Sequence, residues 1–444
     1  METYTYATVT TLGDFGPWIS KIILDLPGSV RAGDVQADAF SAFCARRTHD
    51  GDIVMRAEKG TPLSLPSQGY LRVVDAYPCD ECGNRLAEGT HVALVTCEER
   101  LTKCIEGSVL GSQYVDCDIT VTQVREITLA NDPAPLSGLV FDESRAALCP
   151  ELDRWHVGEM LEPVDGISLK YGYYEPDFEP VSPALAGPFA KPASKPEKAA
   201  LLIYLHGAGE GTGEAMWEGP ERAYTGNRVT ALSQNPIQGY FRGAAWVLVP
   251  QCPTFWMDDG VEQMGRSNKS IYSAALNALI DEFIAAHDDR IDTSRIVIAG
   301  LSNGGFMTVR MCLDNPGFFA AALPCCAPFF TENQTPQAIA ALAQTPMWFT
   351  HSKGDELVDP LDTALPLYHK LVEAGADVHM TYFDHVEDLT GRYREADGSP
   401  KKTFNHGVWI HQFNDFCRTD LDGTNVLVNG EPVSCWEWAA RVER

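Results

Sequence analysis

Positive charge is the scarce ingredient of this chain. Lysine and arginine number 34 against 61 aspartates and glutamates in 444 residues, a formal net charge of −27. A surface so acidic offers no basic patch, which excludes phosphate-backbone and anionic-membrane partners from the expectation. Long hydrophobic runs are missing too. The longest, such as "AALLIYL", fall far short of the roughly 20 apolar residues of a membrane span. The opening residues, "METYTYATVTTLGDFG", show neither a basic n-region nor an apolar h-region. No secretory signal is read there, and a cytoplasmic location is expected.

Cysteine is not scarce. Thirteen are present, but the count is odd, the chain is long and no signal peptide is read, so reduced thiols are expected rather than a disulfide framework. Hydrophobic residues make up 45% and aromatics 10%, enough to exclude disorder over most of the chain. The length suits two domains.

Residues 1 to about 135 read as β. "WISKIILDL", "YLRVVDAY", "THVALVTC" and "VDCDITVTQVREITL" are rich in β-branched and aromatic residues and are separated by Gly, Asp, Asn and Pro. That spacing predicts a β-sandwich of immunoglobulin size. "GISLKYGYYE" (166–175) predicts a further strand or two. "PDFEPVSPALAGPFAKPASKPEK" (176–198) predicts a proline-rich exposed insertion near the start of a second domain spanning 150–444. From 199 on, buried-type strands alternate with helical segments: "ALLIYL", "AAWVLVP", "RIVIAG", "FAAALPC", "PMWFTH" and "DVHMTYF". Ile271, Ala275, Leu276, Leu279, Ile280 and Phe283 form an apolar stripe at helical spacing. The alternation predicts a mostly parallel, doubly wound α/β sheet.

In "VIAGLSNGGFMT" (297–308), Ser302 stands between Gly300 and Gly304, after a strand and before a helix. A nucleophile on such a tight bend needs neighbours with almost no side chain, and its hydroxyl projects above the sheet edge. The bland reading is a glycine-rich turn whose serine caps a helix. The backbone N–H of Asn303, at the helix start, is aimed at a developing oxyanion. A second donor is expected from Gly207, Ala208 or Gly209 in "LHGAGEG", again directly after a strand. A dinucleotide fingerprint fails there, because Thr212 or Glu214 occupies the third-glycine place, and no Gly-Lys-Ser/Thr follows.

Serine needs an imidazole base, and the base needs a carboxylate. In the chain order Ser, acid, His, the acid should follow "PMWFTH". Asp355 is the first candidate and Asp359 the second; either is otherwise a turn carboxylate or helix cap. His385, His406 and His411 all lie late enough to be the base, and position alone does not separate His385 from His406. His369 and His379, within predicted elements, read as structural, and His206 as a brace of the oxyanion loop. Trp256 and Met257 in "CPTFWMDDG" are candidate pocket walls, with packing under a lid as the alternative. Cys79, Cys82, Cys97 and Cys104 have the look of a zinc site, but the same stretch reads as two strands around a polar hairpin. Cys325-Cys326 reads as core packing.

"LHGAGEG", "VLVPQCPTFWMDDG", "SIYSAALNALIDEF", "GLSNGGFMT", "WFTHSKGDELVDP" and "NHGVWIHQF" together resemble the bacterial α/β-hydrolase esterases and prolyl-oligopeptidase-like serine peptidases that carry an N-terminal immunoglobulin-like domain. The resemblance spans most of 199–417; the N-terminal third adds only strand texture and "WISKIILDLP". It implies the α/β-hydrolase fold and a Ser302–Asp355–His406 triad. It favours His406 because the family's histidine precedes a Trp-Ile pair, here Trp409-Ile410. It also implies a plain hairpin without metal at Cys79 and Cys82. The chain departs from the pattern at Asn405, where glycine is frequent, and at His411, where an aromatic is usual. A serine hydrolase for small or aromatic acyl esters is expected, with no cofactor and no metal. The alternatives are a serine peptidase and a non-catalytic assembly protein. The partners expected are the small-molecule ester or peptide, no nucleic acid, no membrane, and further copies of the chain through the N-terminal domain.

Overall fold

The computed structural model describes residues 3–57, 60–108, 111–177, 197–211 and 219–444. Most of the proline-rich stretch, 178–196, lies outside them, as does the 212–218 end of the glycine-rich loop. The chain divides into two compact units, Met1–Ser108 with Ser112–Asp153, and Arg154–Arg444 with Val109–Gly111.

The first unit is all β. Its main sheet has eight strands, in the order Gln68–Tyr70, Phe40–Arg47, Asp116–Gln123, Val140–Leu148, Thr3–Gly13, Gly16–Arg31, Glu88–Thr96 and Val73–Cys79. Alternate residues such as Ile22, Leu24, Val92, Leu94, Ile119 and Val121 are fully buried in one core, the period-2 consequence of a pleated strand. Val140–Leu148 is a strand that the sequence texture does not suggest. It pairs with Thr3–Gly13 and Asp116–Gln123, yet the middle of "VFDESRAAL" is exposed. Backbone pairing and the fully buried Phe141 hold it. Cys79 ends one arm of a hairpin whose other arm is Glu88–Thr96. Cys82 is exposed in the turn, whereas the Cys104 thiol meets Cys117. All thirteen cysteines are free.

The second unit holds an eight-stranded mixed sheet. Its strands are β1 (Trp155–Glu159), β2 (Lys170–Tyr174), β3 (Ala199–Leu205), β4 (Ala245–Gln251), β5 (Ile291–Leu301), β6 (Ala321–Cys325), β7 (Met347–Ser352) and β8 (Val378–Phe383). Their spatial order is 1-2-4-3-5-6-7-8. Strands β3 to β8 are parallel, and β1 and β2 join antiparallel at one edge. Every residue of β3, β4, β6 and β7 is buried, as expected of parallel strands covered on both faces. Each large aliphatic so buried contributes about 1.5–3 kcal/mol relative to exposure. Helices α1 (Ser273–Ala286), α2 (Asn303–Asp314), α3 (Pro336–Leu342) and α4 (Ala364–Glu373) follow β4, β5, β6 and β7. Helix α1 buries Ala275, Leu276, Leu279, Ile280 and Phe283. Ile271 precedes the helix and is exposed instead. The carboxyl ends of β3, β5, β6 and β7 share one rim of this sheet, and the loops leaving them carry the residues considered next. Among the described residues no helix is long and apolar enough to cross a membrane.

Candidate active site

Strand β5 ends at Leu301 and helix α2 begins at Asn303, leaving Ser302 alone at the bend. Its backbone sits at φ 52°, ψ −117°, a region that an L-residue occupies only when its surroundings force it. The forces are visible. The Ser302 N–H donates to Cys325 O on β6 (2.9 Å). The first turn of α2 is pressed so close to β3 that a Cβ on Gly304 would stand 2.0 Å from Leu205 O and 2.5 Å from His206 O. A Cβ on Gly300 would meet Gly304 O at 2.4 Å. The two glycines of Gly-x-Ser-x-Gly are therefore a packing requirement between a helix and the backbone of the neighbouring strand. Ser302 itself stays partly accessible while its neighbours are buried.

Gly304→Ala is thus expected to cost roughly 3–5 kcal/mol, since backbone rather than a flexible side chain must yield. Urea unfolding would read this as a lower midpoint. A variant with a wild-type midpoint would mean that the bend is looser than drawn.

The His406 Nε2 lies 2.8 Å from Ser302 Oγ, and its Nδ1 lies 2.9 and 2.8 Å from the two carboxylate oxygens of Asp355. Asp355 leaves the turn after β7. Its Oδ1 also accepts the N–H groups of Leu357 (2.9 Å) and Val358 (2.8 Å). Both ring and carboxylate are shielded, with 2% and 0% of their side chains exposed. Burial alone would raise the carboxyl's proton affinity. Hydrogen bonds from His351 and His406, the His406 charge and the Val358 N–H outweigh it and hold Asp355 well below the usual carboxylate range. Burial pushes the His406 imidazolium down, but Cys326, the Asp355 carboxylate and Glu356 prevail and leave His406 above its ordinary value.

Glu356 has a separate task. Its Oε2 accepts the backbone N–H of Asn405 (2.9 Å) and His406 (3.2 Å). Ser352 Oγ donates to Asn405 O (2.7 Å), so the histidine loop is tied to the acid loop by backbone contacts. The other candidates lie elsewhere. Asp359 is exposed and caps Leu361 N–H. His385 is exposed and meets Glu387 at 3.0 Å. His411 packs on Phe383 with ring centroids 4.3 Å apart, and burial pushes it down to about 4.

On the opposite side, Ala208 is the first residue of a short 3₁₀ turn after β3, as Asn303 is of α2. N–H groups in that position have no acceptor within their own helix. Gly207 supplies the bend. Its carbonyl accepts from His206 Nδ1 (2.6 Å), because His206 Nε2 must accept from the Cys252 N–H (3.1 Å). Burial pushes His206 down to about 4, which keeps that tautomer fixed at neutral pH. Trp256 is 0% and Met257 4% exposed. The Trp256 ring packs on His206 and Tyr272, and the Trp256 backbone N–H donates to Asn303 Oδ1 (2.5 Å). These two residues support the oxyanion side from within the core rather than forming an open wall. An exposed apolar side chain near the imidazole is Phe404, its ring centroid 6.4 Å from that of His406; the sequence reading does not single it out.

Cys326, Asp355 and His406 are the group of metal-capable donors found among the described residues, their ligand atoms lying within 4.8 Å of one another. Asp355 and His406 already satisfy each other, so a cation there would have to break that hydrogen bond. As it stands, the arrangement presents a hydroxyl, at the start of α2, to a base that is oriented by a carboxylate. That is the equipment for transferring an acyl group through a serine ester.

Comparison with known proteins agrees with this architecture. Residues 188–389 match the phospholipase/carboxylesterase family, and residues 5–134 match the esterase Ig-like N-terminal domain. The first match includes Ser302 and Asp355 and ends before His406. A thermostable esterase of known structure shares the fold over 99% of this chain and 100% of its own, with 20% identity and a TM-score of 0.70. An acylaminoacyl peptidase from Pyrococcus horikoshii aligns over 60% of this chain and 41% of its own, at 17% identity and a TM-score of 0.37. A ferulic acid esterase aligns over 52% and 89%, at 15% identity and a TM-score of 0.36. No curated protein matches the chain in sequence.

Proposed function

The chain is a serine hydrolase with a phospholipase/carboxylesterase-family domain and an esterase Ig-like N-terminal domain, and from that premise we propose that it hydrolyses small or aromatic carboxylic esters through Ser302, His406 and Asp355. The observation that carries this reading is the unbroken relay of contacts from Ser302 Oγ through His406 to Asp355, at 2.8 Å and 2.8–2.9 Å.

In this reading His406 Nε2 takes the Ser302 proton as Oγ attacks the ester carbonyl. The Asp355 carboxylate accepts from Nδ1–H throughout, fixing the tautomer and stabilising the imidazolium. The tetrahedral oxyanion lies between the N–H groups of Asn303 and Ala208, each worth about 3–4 kcal/mol in the transition state. His406 then returns its proton to the departing alkoxide. Water enters, is deprotonated by the same nitrogen, and releases the acid. The leaving group passes on the His406 side, where Phe404 offers exposed apolar surface, which suits an aromatic or alkyl alcohol.

Turnover of p-nitrophenyl acetate against that of a prolyl p-nitroanilide tests the reading. The ester is expected to be cleaved and the anilide far more slowly. The base must be neutral to act, so kcat/KM falls as pH drops through the His406 ionisation. With His406 raised, that limb lies above the ordinary imidazole value of about 6.5. Preferential cleavage of the anilide would make the peptidase reading the better one, and a limb below the ordinary value would exclude His406 as described.

A further inference from the structure

Asp355 is engaged by a second histidine. His351 is the next-to-last residue of β7, in register with Tyr382 on β8, and none of its side chain is exposed. The turn from Ser352 to Gly354 folds Asp355 back over it. His351 Nε2 stands 3.0 Å from Asp355 Oδ2 and 3.1 Å from Val358 O. A carbonyl oxygen only accepts, so this nitrogen carries the hydrogen. His351 Nδ1 is buried and has no hydrogen-bond partner among the described residues. A hydrogen there would be desolvated and unpaired, so Nδ1 keeps its lone pair. The chemistry described so far gives this imidazole no task, and burying one without a task is unfavourable.

We propose that His351 is a positioning residue, a neutral Nε2–H imidazole that pins Asp355 Oδ2 in the plane where the carboxylate meets His406. The inference rests on the triad reading above. It assigns the two faces of the carboxylate to different holders. The backbone N–H groups of Leu357 and Val358 fix Oδ1, and His351 fixes Oδ2. With Oδ2 pinned, the carboxylate cannot swing about its Cβ–Cγ bond away from His406 Nδ1. The donor also draws charge from Oδ2, consistent with the lowered proton affinity of Asp355. The other ionisable groups facing this cluster are Cys325 at the end of β6, Cys326 just after it, Glu356 on the acid loop and His406 itself.

Two substitutions separate positioning from filling space. His351→Met keeps the bulk and removes the donor. His351→Gln places an amide N–H near the position of Nε2. The Met variant should lose roughly tenfold to a hundredfold in kcat, by analogy with the range typical when the hydrogen-bond partner that orients a metal-bound histidine is removed, with KM little changed. Without the donor, charge concentrates on Oδ2, and His406 holds its proton more tightly. The acid limb of kcat/KM therefore moves to higher pH in His351→Met, and His351→Gln recovers most of both effects. Equal behaviour of the two variants, or a Met variant with wild-type kcat and an unmoved limb, overturns the inference. Ser302→Ala and His406→Ala run in the same assay keep the two readings apart. If those remain active, the triad reading falls, and if they are inactive while His351→Met is normal, only the positioning role falls. Should His351→Met fail to fold, nitrogen NMR of the wild-type ring at neutral pH decides. The Nε2–H tautomer is required, and an Nδ1–H tautomer refutes the proposal.

Discussion

Replacing Ser302 with alanine is expected to lower kcat on p-nitrophenyl esters about a millionfold while leaving KM within a few-fold of wild type. The size follows from what the hydroxyl does. Attack on the carbonyl and departure of the alcohol both run through Oγ, so its loss removes the covalent route altogether. What remains is water attacking a substrate held beside two oxyanion donors, worth roughly 10³–10⁴ over the uncatalysed reaction. His406→Ala should fall about as far, because a serine without its base is as inert as no serine at all. The double variant should be no worse than either single one, since the two groups act as one unit and their losses do not add. A fluorophosphonate should label wild type, label His406→Ala far more slowly, and leave Ser302→Ala unlabelled. Equal labelling of wild type and Ser302→Ala would remove Ser302 from the mechanism. The fold should tolerate the substitution, because the bend at Ser302 is held by its own N–H on Cys325 O and by the approach of Gly304 to β3, not by its hydroxyl.

How far the site can be read from the sequence depends on how local each constraint is. The serine bend is legible because its demands fall on residues 300 to 304, where a strand, a helix and two obligatory glycines are all within view. The acid is half legible. Asp355 and Asp359 both belong to turn-forming runs, and what separates them is that Asp355 folds back over β7 while Asp359 caps an exposed turn. The histidine is decided by tertiary contacts alone. His385 and His406 are 21 residues apart in sequence, and only the loop tied down by Glu356 and Ser352 brings one of them to Ser302. His351 did carry a signal. It is a titratable residue closing the buried-type strand "PMWFTH", four places before the acid, and its imidazole is pointless in a core without a partner. Trp256 misleads in the other direction. Its size suggests a pocket wall, but its backbone N–H is needed on Asn303 Oδ1 and its ring is enclosed. The strand Val140–Leu148 is hidden for a similar reason, since four exposed residues in a row erase the alternation by which strands are recognised.

Asp355→Asn should lower kcat about ten-thousandfold, and the reason is an all-donor surrounding. Four N–H groups point at this carboxylate: His406 Nδ1, His351 Nε2, and the backbone of Leu357 and Val358. An anion with two acceptor oxygens satisfies all of them. An amide of the same shape must turn its NH₂ toward one pair. Facing Leu357 and Val358 it meets two backbone hydrogens that cannot move. Facing His351 and His406 it meets only one fixed hydrogen, that of His351 Nε2, which Val358 O also holds, while the His406 ring can surrender its own by shifting tautomer, so the amide nitrogen settles there. His406 then carries its hydrogen on Nε2, the nitrogen that must be bare to accept the Ser302 proton. The geometry survives and the base is lost. Asp359→Asn, by contrast, changes a solvated cap and should retain nearly full activity. Activity of Asp355→Asn within about tenfold of wild type, a barrier change near 1.4 kcal/mol, would mean that the carboxylate does not set the His406 tautomer, and the acid of this site would have to be sought elsewhere.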